Sequence, residues 1–136
     1  WNKAFQNATS LNQVPIKMEG TPISMQSMFE GCTTISTINA DMWDMSNVTD
    51  ISRMFYGCTN LNKLYARWDT SSVTSMTGVF AYTGFTSLQD IVGLFPNSPT
   101  GWDLSGVTSL AGMFEGSLLT SFTWESTQDT SNVTDF

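Results

Sequence analysis

The feature that most constrains this chain is its internal repetition. An apolar residue, two intervening residues, a small or apolar residue and then Phe recur five times. The copies read Trp1, Ala4, Phe5; Met25, Met28, Phe29; Ile51, Met54, Phe55; Met76, Val79, Phe80; and Leu110, Met113, Phe114. Successive phenylalanines stand 24, 26, 25 and 34 residues apart. A second landmark, Trp-Asp-x-Ser-x-Val-Thr, keeps the same phase at 43–49, 68–74 and 102–108, and 128–134 repeats it with Gln128 in place of Trp. A third follows each Phe by about six residues: Leu11 and Val14, Ile35 and Ile38, Leu61 and Leu64, Leu88 and Ile91, Leu119 and Phe122. A period of roughly 20–50 residues marks architectures in which one small unit stacks on the next. The predicted fold is therefore a repeat solenoid, one array of about five copies at approximately 1–24, 25–50, 51–75, 76–109 and 110–136. Both ends interrupt a copy and no polar cap is visible, so the chain reads as part of a longer array.

Each copy divides into segments of different character. The run at 61–66 and its equivalents suits a short strand with alternate residues pointing inward, paired in parallel from copy to copy. The run at 73–80 carries apolar residues at a spacing that fits one or two helical or 3₁₀ turns with a single buried face. Between them lies the Trp-Asp-x-Ser piece, whose Asp and Ser can bond backbone amides and turn the chain. Stacking would set each of Phe5, Phe29, Phe55, Phe80 and Phe114, and each of Trp43, Trp68 and Trp102, over its counterpart. Burying one such side chain contributes about 1.5–3 kcal/mol, so these ladders should carry the stability. The long fourth copy has an insert at 93–101, rich in Pro and Gly, which reads as a loop bulging from one turn of the array.

The Met-Phe-x-Gly-Cys-Thr piece at 54–59 and the Trp-Asp-Thr-Ser-x-Val-Thr piece at 68–74 closely resemble a bacterial surface-protein repeat of about 25–26 residues. That family occurs in mycoplasma, listerial and lactobacillar surface lipoproteins and is similar to the BspA-like leucine-rich repeats of adhesins. The resemblance covers essentially the whole chain. It implies a leucine-rich-repeat-like solenoid on an exported, cell-surface bacterial protein, often linked to adhesion. Departures are Gln128, the long fourth copy and the degenerate stretch at 14–23 with Pro15 and Pro22.

Composition removes several functions. Net charge is −7 and the five bases are scattered, so neither nucleic acid nor an anionic membrane surface is a suitable partner. No apolar run is long enough to span a bilayer. Histidine is absent, which removes the usual general base, and no nucleophile elbow is present. Asp41 and Asp44 could in principle do acid–base work, but they lie in the repeated motif. No catalytic residue and no cofactor are predicted.

Cys32 and Cys58 hold one slot of adjacent copies, shared with Ala8, Thr83 and Ser117, and read as free thiols at a small-residue packing position. With no further Cys and no His, no zinc site is expected. Asp44, Asp69, Asp103 and Asp129 share one slot, and Asp50 and Asp135 another. Stacked carboxylates could hold Ca²⁺, yet one Asp per turn is better read as capping its own turn, so no metal is predicted. Asn7, Asn47 and Asn132 begin Asn-x-Thr triplets, two of them simply the repeat's own Asn-Val-Thr.

The candidate binding face is the set of outward strand positions: Ser36, Thr37, Asn39, Asn62, Lys63, Tyr65, Gln89, Ser121 and Thr123. They vary between copies while the inward positions hold. The favoured function is a non-catalytic, adhesin-like module that binds a protein or glycan on another cell or matrix. The alternative is a structural subunit of a stalk, sheath or fibre whose partner is itself.

Overall fold

A computed structural model describes residues 1–94, 101–121 and 128–136. Its backbone is held together mainly by hydrogen bonds between residues about one copy apart in sequence. A column of parallel bridges runs Ser24, Asp50, Ser75, Ser109, Asp135, the last or near-last residue of each of the five copies. A second contact is a three-stranded parallel sheet, β1 (Thr37–Asn39), β2 (Lys63–Tyr65) and β3 (Ile91–Val92), in the order β1-β2-β3. Its register sets Thr37 beside Lys63, Ile38 beside Leu64 and Asn39 beside Tyr65. Alternation along each strand turns Ile38, Leu64 and Ile91 into the core.

The segment around each Phe, expected to be helical or 3₁₀, folds differently. Two residues four apart adopt positive φ in every copy: Lys3 and Asn7, Ser27 and Gly31, Arg53 and Gly57, Gly78 and Tyr82, Gly112 and Gly116. Left-handed residues break a right-handed helix after a single turn. What remains is an arc of successive i to i+3 turns: the N–H groups of Met28, Glu30 and Cys32 donate to the carbonyls of Met25, Ser27 and Phe29. The intervening N–H groups face the next copy. Met25, Ser27, Phe29 and Gly31 donate to Asp50, Ser52, Met54 and Tyr56 at 2.8–3.0 Å. The same pattern relates Ile51, Arg53, Phe55 and Gly57 to Ser75, Thr77, Val79 and Ala81.

Among the described residues the helical element is one 3₁₀ turn, Leu88–Asp90, which leads directly into β3. Ser87 and Asp90 close it with a reciprocal capping box. Gln89, expected on a strand, therefore sits on this turn. The two extra residues at 81–87 give the chain room to make it, and Gly84 there donates its N–H back to the Leu61 carbonyl.

The core is a set of aromatic columns. Phe5, Phe29, Phe55, Phe80 and Phe114 follow one another at centroid separations of 5.3, 5.8, 5.8 and 5.6 Å, nearly parallel. Trp43, Trp68 and Trp102 stack beside them at 6.1 and 5.3 Å. A buried indole N–H needs an acceptor. Those of Trp68 and Trp102 donate to the carbonyls of Ala40 and Ala66, and that of Trp43 donates to Pro15. Gln128, in the Trp slot, keeps a donor there: its amide N–H reaches the Trp102 carbonyl at 3.1 Å. In the first copy the stretch holding Val14 and Pro15 forms no strand, because Pro has no N–H for the ladder and restricts the residue before it. Leu11 and Val14 still pack against the core from that stretch.

Candidate functional site

On the strand face Thr37 and Asn39 of β1 are exposed, whereas Lys63 and Tyr65 of β2 are half-buried. Ser36 and Asn62 precede the strands and are exposed, and the Ser36 carbonyl accepts the N–H groups of Asn62 and Lys63. The cations of this face are already engaged across copies. Lys63 Nζ donates to the Gln89 carbonyl at 3.1 Å and lies 3.9 Å from the Asp90 carboxylate. Arg67 meets Asp41 through both its backbone N–H and its guanidinium. The structure thus brings Thr37, Asn39, Lys63 and Tyr65 together on two adjacent strands, with Gln89 joined to them through Lys63. Ser121 is exposed and outside the sheet, and Thr123 lies outside the described residues. So do residues 95–100, the centre of the predicted loop insert.

The aspartates of the Trp-Asp-x-Ser pieces each accept the N–H of the residue two positions on. Asp44 with Ser46, Asp69 with Ser71, Asp103 with Ser105 and Asp129 with Ser131 are bonded at 2.9–3.0 Å. The Ser46 and Ser71 hydroxyls add a second bond to the same oxygen. Hydrogen bonds to the charged form lower the carboxyl pKa of Asp44, Asp69 and Asp129. Among the described residues no group of three or more His, Cys, Asp or Glu is placed to hold a metal ion.

Cys32 and Cys58 are buried free thiols. Each donates to a Phe carbonyl of the copy before it, Cys32 to Phe5 and Cys58 to Phe29, both at 3.1 Å. The two therefore point the same way along the stack rather than towards each other. Burial pushes the Cys58 thiol up to about 12, so it holds its proton and is a poor nucleophile.

A second surface cluster lies on the arcs, and the sequence reading had no place for it. Arg53 sets its guanidinium 3.6 Å above the Tyr56 ring centroid and pairs with Glu30, Nη2 donating to Oε1 at 2.7 Å. The hydrogen bond from Arg53 holds the Glu30 carboxyl below its usual value. Tyr56 meets Tyr82 edge-to-face at 5.3 Å, and the Tyr82 hydroxyl donates to Glu115 Oε1 at 2.7 Å. That bond to the carboxylate raises the Tyr82 phenol pKa. The signal was present in the glycines at 31, 57, 78, 112 and 116, which mark two slots where Lys3, Arg53 and Tyr82 are the bulky exceptions.

The chain matches, over residues 23–136, the family described as "Mycoplasma protein of unknown function, DUF285", and it belongs to that family. No curated protein and no solved structure matches it.

Proposed function

We propose that the chain is a leucine-rich-repeat-like solenoid, related to the BspA-like repeats, that works as a non-catalytic, adhesin-like binding module at the cell surface. The observation that carries this reading is the division of labour across the sheet. Ile38, Leu64 and Ile91 are buried, while Thr37, Lys63, Asn39 and Tyr65 form a polar strip that differs between β1 and β2 over one parallel register. A rigid ladder whose outward residues can change without touching the core suits recognition of a partner protein or glycan. Membership of a family matched over most of the chain supports the repeat reading. The cross-copy hydrogen bonds and aromatic columns support it too, because stacked units share one core.

The test is light scattering and negative-stain microscopy of the purified chain across a range of protein concentrations, without ligand. Discrete curved particles that stay monomeric are the expected outcome, and a screen against matrix proteins and glycans then finds the partner class. Ordered filaments growing with concentration would overturn the binding-module reading in favour of a self-assembling stalk or fibre.

A further inference from the structure

The Arg53 cluster contains its own description of a ligand. Within the chain, Tyr56 and Glu30 together hold a guanidinium, one by its ring face and the other by its carboxylate. One position in each arc decides whether that cation is supplied internally. Arg53 shares its slot with Lys3, Ser27, Gly78 and Gly112. In the two copies that follow, the slot holds glycine, while an aromatic–carboxylate pair is present again as Tyr82 and Glu115.

The second pair is built with care for its geometry. Tyr82 occupies a slot that is glycine in three other copies, with φ of +56°, a conformation costing a non-glycine residue about 1–2 kcal/mol. Its ring lies directly on Gly116, where a Cβ would meet Cδ1 and Cε1 at 2.4 Å, so only glycine at 116 allows this seat. The Tyr82 hydroxyl fixes Glu115 through Oε1, and among the described residues Glu115 Oε2 accepts no bond. Oε2 instead stands 3.1 Å from where a side chain at Gly112 would begin. Tyr82 is 39% exposed, so its ring can be reached from solvent. The left-handed backbone recurs in every copy and belongs to the fold; what is particular to this copy is a large exposed ring in that slot beside a carboxylate oxygen.

We propose that Tyr82 and Glu115, above Gly112, bind an arginine side chain presented by a partner polypeptide, repeating between molecules what Arg53 does within this one. The planar guanidinium stacks on the Tyr82 ring and donates to Glu115 Oε2, a combination that the compact ammonium of lysine matches less well. The net charge of −7 favours encounter with a cationic partner. This rests on the binding-module reading and narrows its partner to a protein with an exposed arginine.

The experiment titrates N-acetyl-argininamide into the ¹⁵N-labelled chain and follows it by NMR, with N-acetyl-glutaminamide as the neutral control. Expected are saturable shifts at Tyr82, Gly112 and Glu115 with arginine alone, weakening as salt is raised. Glu115→Gln should reduce affinity about fivefold, the size of one exposed ion pair. Tyr82→Phe should keep the stacking and lose less, and it keeps the test open if Tyr82→Ala perturbs the arc. Ile16→Ala, at an exposed position of the first copy outside both surfaces, should leave the arginine shifts unchanged. Shifts confined to the strand face, no shifts at all, or indifference to Glu115→Gln would overturn the site. None of those results bears on the binding-module reading, which falls only if the chain polymerises.

Discussion

The arcs around each Phe and the strands of β1–β3 join the same copies, yet they are built to different tolerances. In the arcs every second N–H of residues 25–31, 51–57 and 76–82 reaches the next copy, and the two positive-φ residues recur in all five copies. Among the described residues the strands are two or three residues long and pair across the copies that contain Ile38, Leu64 and Ile91. Pro15 ends the pairing on one side, and a 3₁₀ turn intrudes before β3 on the other. The arc is the part of the copy that must be reproduced, because a change there breaks bonds to two neighbours at once. The strand face tolerates insertions and substitutions more readily because its outward side chains are exposed or half-buried and their contacts lie at the surface.

The comparison breaks most visibly at the aromatic columns. Phe55 is fully buried and stacks on Phe29 and Phe80, so Phe55→Ala should cost about 3–5 kcal/mol in urea denaturation, through lost contacts and the cavity left behind. Trp68→Phe removes one hydrogen bond to the Ala40 carbonyl, which keeps the Trp43 N–H, and leaves part of a buried ring's volume empty, for about 1–3 kcal/mol in the same assay. Gly57→Ala should cost about 1–2 kcal/mol by placing a Cβ at φ +71°. Its nearest neighbour would be a backbone atom of Gly31 at 3.8 Å, so strain rather than collision sets that figure. Tyr65→Ala, on the strand face, should cost less than about 1 kcal/mol, the range of cross-strand pairs. A Tyr65 value equal to that of Phe55 would dissolve the distinction between the two regions.

The smallest effect is in pH. Asp69 has a carboxyl pKa below its ordinary value, chiefly through its bond from the Ser71 hydroxyl. A depressed folded value means that the stabilisation is present above the unfolded value and disappears as pH falls through the folded one. The melting temperature of Asp69→Asn should therefore differ from wild type near neutrality, and the difference should begin to shrink near pH 3.8 and close as pH falls through the lower folded value. A constant difference down to strong acid would show that the turn does not depend on the charge.

The arc's departure from the helical expectation has a specific cause. Apolar spacing at Val73, Met76, Val79 and Phe80 reports which side chains are buried, and a turn-by-turn arc buries the same set as a helix. The glycines at 57, 78 and 112 were the clue to left-handed backbone, but Ser27, Arg53 and Tyr82 in the same slots concealed it. The strand-face prediction recovered Thr37, Asn39, Lys63 and Tyr65 as neighbours, whereas Gln89 was displaced by the capping box of Ser87 and Asp90. The capping role of Asp44, Asp69, Asp103 and Asp129 could be read because Asp two residues before Ser is a local, backbone-bonded turn.

What the sequence determined by itself was periodicity: which residues share a slot, which slots are apolar, and where the phase is interrupted. Those facts are local or nearly so, and recur often enough to be read without coordinates. Only the tertiary structure decided the direction of each hydrogen bond, the left-handed pair in every arc, and the line from Glu30 through Arg53, Tyr56 and Tyr82 to Glu115. These depend on how far one copy lies from the next and how it is rotated against it, distances of a few ångströms that residues about 25 positions apart do not encode in their spacing.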